Sequence, residues 1–213
     1  MDLIQYLDYM GTLAFAASGA LKAVRKNMDL FGVGVLATVT AIGGGTIRDA
    51  LLGERAFWLG DPAYVGLALA AALAVFVLFR VVVREEARGL LVLDAIGLGV
   101  FTAIGAAKAW HAQTGIVGVV TMACLTGVGG GMLRDVLAGD VPAVLREEIY
   151  ASASLAGALA FWVLNVAGAH EAVSAGAAAA LTITIRLLSI RFRWRLPRRI
   201  GGRARPPAQG DQS

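Results

Sequence analysis

Two stretches of this chain set three glycines one turn ahead of an arginine–aspartate pair. Gly43-Gly44-Gly45-Thr46-Ile47-Arg48-Asp49 returns 86 positions later as Gly129-Gly130-Gly131-Met132-Leu133-Arg134-Asp135. Both lie in apolar surroundings, and both halves of the motif are costly there. Each glycine in a helix interior loses about 1 kcal/mol of helix propensity relative to alanine. A charge inside a membrane span must face the bundle interior or water, usually with a partner. Glycine carbonyls released from a helix can coordinate a cation, and half-helix termini offer dipole ends to an ion. The carbonyls of Gly44, Gly45, Gly130 and Gly131 are therefore the candidate site for a monovalent cation. The plainer alternative is that small residues let helices pack closely. That reading is preferred for isolated glycines such as Gly66 and Gly157, and the path-lining reading for the duplicated triplets.

Other duplicated residues belong to the same candidate path. Thr40 and Thr126 sit three residues before the triplets, where their hydroxyls can line a path or bond back to their own helix. Thr12, Ser18, Thr38 and Thr121 supply further hydroxyls. Lys22 and Lys108 are either cations at the two mouths or side chains snorkelling to the interface. Asp8 and Asp94, at the opposite ends of the same helices, can pair locally. For the charge pairs we expect reciprocal bridges, Arg48 to Asp135 and Arg134 to Asp49, with structural pinning of the half-helices as the alternative. Leucine at Gly44 and Gly130 is expected to block the path and leave the oligomer intact.

The elements that carry these residues follow from hydropathy. The chain has 213 residues, 58% of them hydrophobic, with a mean hydropathy of +0.71 and only 16% charged. A soluble domain carries about 25% charged residues, so the fold class is an all-α polytopic membrane protein. Seven spans are expected: 4–23, 30–52, 63–83, 90–109, 116–137, 149–166 and 171–190. The second and fifth are kinked or unwound at the glycines. Residues 1–190 form one membrane domain, and 191–213 form a basic, disordered cytoplasmic tail. Eight of the nineteen basic residues fall between Arg186 and Arg205. That position marks a cytoplasmic face, and anionic lipid as a partner, rather than nucleic acid. The loops holding Lys22, Arg25 and Lys26, then Arg80, Arg84 and Arg88, then Arg146, lie on the tail's side. Seven spans then place the N-terminus outside the plasma (inner) membrane.

Sliding Leu7–Gly53 onto Leu93–Gly139 needs no gap and gives 20 identities in 47 positions. The chain is an internal duplication, repeat one over about 4–83 and repeat two over about 90–166, with the seventh helix outside it. Three spans per copy is an odd number, so the second copy enters the membrane inverted. Inverted repeats are a recurring architecture for moving solutes, with the site at the repeat interface.

Enzymatic chemistry finds little support. Cys124 is alone. His111 and His170 fall at helix ends, and Glu85, Glu86, Glu147 and Glu148 fall in loops. Gly-Gly-Gly followed by Arg-Asp lacks the P-loop lysine. No cofactor is expected beyond a permeant K+ or Na+ and bound lipid.

The doubled Gly-Gly-Gly-x-x-Arg-Asp, in a three-plus-three layout with a seventh helix, resembles the prokaryotic members of the trimeric intracellular cation (TRIC) channel family. The resemblance covers about Leu7 to Ile190. It implies a homotrimer with a pore in each protomer, lined by the kinked second and fifth helices, with Gly43–Gly45 and Gly129–Gly131 at the constriction. It implies a pathway for monovalent cations, chiefly potassium. Related bacterial chains are also catalogued as glycine transporters, so a secondary transporter of a small zwitterion is the alternative. A third reading is a structural or lipid-handling membrane protein. Small residues on the fourth helix, Gly97, Gly99 and Gly105, serve either the trimer interface or packing within a protomer.

Overall fold

A computed structural model of the chain describes residues 3–82, 87–146 and 149–194, and all regular structure there is helical. Seven long helices appear: α1 Leu3–Arg25, α2 Leu30–Leu52, α3 Ala63–Val82, α4 Ala87–His111, α5 Gly115–Leu137, α7 Ala151–Val166 and α8 Glu171–Phe192. Two short elements were not expected, a 3-10 turn over Phe57–Leu59 and a four-residue helix α6, Ala143–Arg146. They occupy the same register position, 86 residues apart, and each follows the loop after a glycine-triplet helix. Four helices (α2, α4 from Gly89, α5 and α8) are long and apolar enough on their own to cross a membrane, while α3 and α7 contribute shorter apolar stretches. The expected tail lies mostly outside the described residues, although α8 runs on to Phe192 rather than ending at Ile190.

Local signals set the ends. Asp29 caps α2, its side chain accepting from the Gly32 amide at 2.7 Å. Gly53 ends α2 and Gly139 follows α5, each at φ +72, a left-handed conformation that glycine adopts without strain. His170 caps α8, its Nδ1 accepting from the Ala172 amide. Of the expected kink or unwinding, the unwinding is corrected: neither triplet is unwound. Helical structure runs unbroken through Gly43–Gly45 and Gly129–Gly131. The surrounding packing, described below, outweighs the propensity cost of the glycines.

α4 is the most deeply buried long helix, packed by α1, α5, α7 and α8. Its small residues face inward. A Cβ on Gly97 would overlap the Phe15 ring, one on Gly99 would crowd Ile183, and one on Gly105 would crowd Thr126. These glycines therefore serve packing within the protomer. Gly157 does the same against α8, where a Cβ would overlap Thr182, whereas Gly66 meets nothing within 4 Å.

The repeats make reciprocal contacts. Gly11 of α1 packs on Val100 and Phe101 of α4, and its counterpart Gly97 packs on Phe15, the counterpart of Phe101. When residue i of one copy meets j of the other and j meets i, a two-fold axis relates them. The rising number on one helix against the falling number on the other makes α1 and α4 antiparallel. With three helices per copy, that axis lies in the plane of the membrane.

Candidate functional site

α2 and α5 cross at the two glycine triplets, backbone against backbone. A Cβ on Gly44 would overlap the carbonyl oxygen of Thr126, and a Cβ on Gly130 would overlap the carbonyl oxygen of Thr40. The ideal Cβ of Gly129 would lie 3.1 Å from the Gly44 Cα. The triplets are thus where the backbones of the two repeats meet directly. Their third glycines do a different job: Gly45 makes room for the Phe57 ring, and Gly131 for the Tyr150 hydroxyl. Thr40 and Thr126 are buried, and each hydroxyl donates back to its own helix, to the carbonyls of Leu36 (2.5 Å) and Met122 (2.6 Å). Of the other hydroxyls, Thr12 and Ser18 are buried, Thr38 is half-buried and Thr121 is exposed.

Charged clusters close the two ends of this crossing. Arg48, Asp49, Arg134, Asp135 and Asp94 are each at most 3% exposed. Arg48 pairs with its own neighbour Asp49 at 2.6 Å, and Arg134 with its neighbour Asp135 at 3.0 Å. The expected cross pairs, Arg48 with Asp135 and Arg134 with Asp49, do not form among the described residues. The reason is geometric. Inversion sends the C-terminal ends of α2 and α5 to opposite faces, so each Arg-Asp pair lies at its own end.

Lysines make the crossing between repeats instead. Lys22 of repeat one reaches Asp135 (3.5 Å) and Asp140 (2.5 Å) of repeat two. Lys108 of repeat two reaches Asp49 (3.0 Å) and Glu54 (3.4 Å) of repeat one. Each lysine thus clasps the C-terminal end of the opposite triplet helix. Partial burial, with the Lys22 side chain 17% exposed and that of Lys108 32%, separates this from simple snorkelling. The second oxygens of Asp49 and Asp135 accept from the backbone amides of Phe57 (2.9 Å) and Ala143 (3.0 Å). Each aspartate therefore ties three things together: its own arginine, the other repeat's lysine and the short helical turn that follows.

The two ends also differ. Arg134 donates to Asp94 at 2.5 Å and to Ser18 at 2.6 Å, so Asp94 pairs along the bundle rather than near its own place in the sequence. At the other end Asp8 accepts from the Tyr64 hydroxyl (2.9 Å), while Arg48 lies over the Phe57 ring, 5.6 Å from its centroid. Tyr64 is ringed by Phe57 and Tyr9, whereas its counterpart Tyr150 carries Arg186 of α8 over its ring at 4.7 Å. Outside the membrane segments, hydrogen bonds from Lys22 and Lys26 hold the Asp140 carboxyl down at about 2.

Glu54, Asp140, Tyr64, Tyr150, Lys26 and Arg186 were not expected at the site from sequence. Four of them were legible there, because Glu54/Asp140 and Tyr64/Tyr150 keep the 86-residue spacing just beyond the aligned block. Lys26 and Arg186 have no such signal.

The comparisons with known proteins agree with this geometry. The family model described as Glycine transporter matches the chain twice, over residues 5–80 and 91–166, the same offset as the duplication. The UPF0126 inner membrane protein YadS of Escherichia coli K12 is 44% identical over 200 residues, covering 92% of this chain and 95% of that protein. A TRIC cation channel solved to explain conductance superposes with a TM-score of 0.85 at 38% identity, covering 93% of this chain and 98% of that one. The trimeric intracellular cation channel orthologue from Rhodobacter sphaeroides superposes with a TM-score of 0.86 at 39% identity, covering 91% and 100%. The chain is an integral inner-membrane protein of the family that holds YadS, and it belongs with the prokaryotic TRIC channels.

Proposed function

We propose that this protein is a monovalent cation channel, chiefly for potassium, that works as a homotrimer and conducts within each protomer along the α2–α5 crossing. One observation carries the reading: the two triplet helices touch backbone to backbone, and a lysine of the opposite repeat clasps each of them at its C-terminal end. That is the arrangement of a closed gate. The crossing leaves no room for a methyl group, so it passes no ion until α2 and α5 separate. Separation would uncover the carbonyls of Thr40, Gly44, Gly45, Thr126, Gly130 and Gly131. A helical carbonyl keeps a second lone pair for a cation. Release of the Lys22 and Lys108 clasps is the movement that frees the two helix ends. The relatives solved as TRIC cation channels support the same reading.

Positive-inside distribution places the Lys22 end in the cytoplasm and the Lys108 end outside, with the N-terminus outside. The basic tail then faces anionic lipid. The second reading, secondary transport of a zwitterion such as glycine, is favoured by the name of the matching family. Purified protein in planar bilayers under a potassium gradient separates the two. Stepwise unitary currents are expected. Their absence, together with saturable glycine uptake into liposomes, contradicts the channel.

A further inference from the structure

The inverted repeat predicts two equivalent mouths, and the side chains break that equivalence. At the Lys108 end, two cations, Arg48 and Lys108, stand against four carboxylates, those of Asp8, Asp49, Glu54 and Asp61. Asp61 belongs to this end through Tyr9, whose hydroxyl donates to it and whose ring packs on Tyr64. At the Lys22 end the balance is reversed. Four cations (Lys22, Lys26, Arg134 and Arg186) stand against Asp94, Asp135 and Asp140.

Sequence differences at equivalent positions account for this. Lys26 corresponds to Ala112, so this second lysine is present at one mouth only. Arg186 comes from α8, the helix outside the duplication, and is 2% exposed where it lies over Tyr150. The place beside the equivalent Tyr64 is taken by the uncharged rings of Phe57 and Tyr9. Adding Arg55 and Glu171 at one end and Arg25, Asp29, Arg146, Arg191 and Arg193 at the other leaves both signs unchanged among these described residues.

We infer that the two mouths carry opposite net charge and that the cation current through each protomer therefore rectifies, ions passing more readily from the acidic Lys108 end. The inference rests on the channel reading above. A mouth of one sign raises or lowers the local concentration of permeant cations, and so sets the rate of entry at that side. The opposite mouth does the reverse, and the two effects add for one direction of current. Glu54 and Lys26 are the accessible levers, with side chains 48% and 39% exposed.

The test is single-channel recording of the full-length wild-type protein in an uncharged bilayer with symmetric KCl at +100 and −100 mV. In about 0.1 M KCl, where charges act over about 10 Å, the larger unitary conductance should exceed the smaller by about twofold. In about 1 M KCl, where that range shrinks to about 3 Å, the ratio should fall towards one. The double variant Glu54→Gln with Lys26→Gln should reduce the low-salt ratio by half or more. Equal conductances at both polarities in low-salt wild type overturn the inference and leave the channel standing. A ratio that ignores salt overturns it too, and needs no variant. Complete absence of unitary current overturns the channel reading, and this inference with it.

Discussion

At the scale of single residues, the glycines of this chain fall into two physical classes that sequence alone does not separate. Gly44 lies against another helix's carbonyl, while Gly66 faces open space. Gly44→Ala should cost about 1–3 kcal/mol by forcing α2 from α5, read as a lowered melting temperature in detergent. Gly66→Ala should be neutral or gain up to about 1 kcal/mol of helix propensity. For the same reason leucine at Gly44 or Gly130 is a poor pore blocker. It would part the repeats rather than plug a path between them, contrary to the expectation from sequence. The charge pairs make a second prediction. A double-mutant cycle on Lys108 and Asp49 should return a coupling of about 1 kcal/mol, and one on Arg48 and Asp135 should return none. Truncating Asp94 to alanine should cost about 3–5 kcal/mol, because it leaves Arg134 buried with one carboxylate fewer. Asp140 adds a pH signature. Its folded-state value of about 2 lies below the ordinary carboxylate value of 3.8. Its contribution is therefore present above about pH 4 and lost as pH falls through 2. The melting-temperature difference between wild type and Asp140→Asn should hold steady from pH 7 to 5, shrink below about pH 4 and approach zero only as pH falls through 2.

At the scale of elements, hydropathy and the duplication located every long helix to within a few residues, because length and apolarity are what a membrane span requires. The short turn at Phe57–Leu59 and α6 escaped, since each is held by an aspartate at the end of the preceding helix rather than by its own periodicity. Unwinding at the triplets was also misjudged. Propensity argued for a break, but the cost of three glycines is offset once the helix gains a backbone-close partner, and that partner lies in the other repeat. Asp29→Ala removes the α2 cap and should cost about 1 kcal/mol, a loss to be read by thermal unfolding. Amides over Gly43–Thr46 should exchange slowly with solvent deuterium, as continuous helix requires. Rapid exchange there would restore the unwound triplet.

At the scale of the molecule, inversion was derivable from counting three spans per copy, and the reciprocal contacts of Gly11 with Phe101 and Gly97 with Phe15 bear it out. The partner choice of the charges was not derivable. A repeat alignment shows which residues correspond but not which ones meet, and inversion puts the two Arg-Asp pairs at opposite faces. The ion pairs that join the repeats run from the lysine of each to the acids of the other. The central claim is that the crossing of α2 and α5 is the gate of a cation path, held shut by the two clasps. Its most direct measurement is unitary current in planar bilayers, with wild type compared against Lys22→Gln with Lys108→Gln under a potassium gradient. The account predicts stepwise cation currents from wild type, and a higher open probability at unchanged unitary conductance once both clasps are released. Wild type that never conducts, or a double variant that opens no more often than wild type, would contradict it.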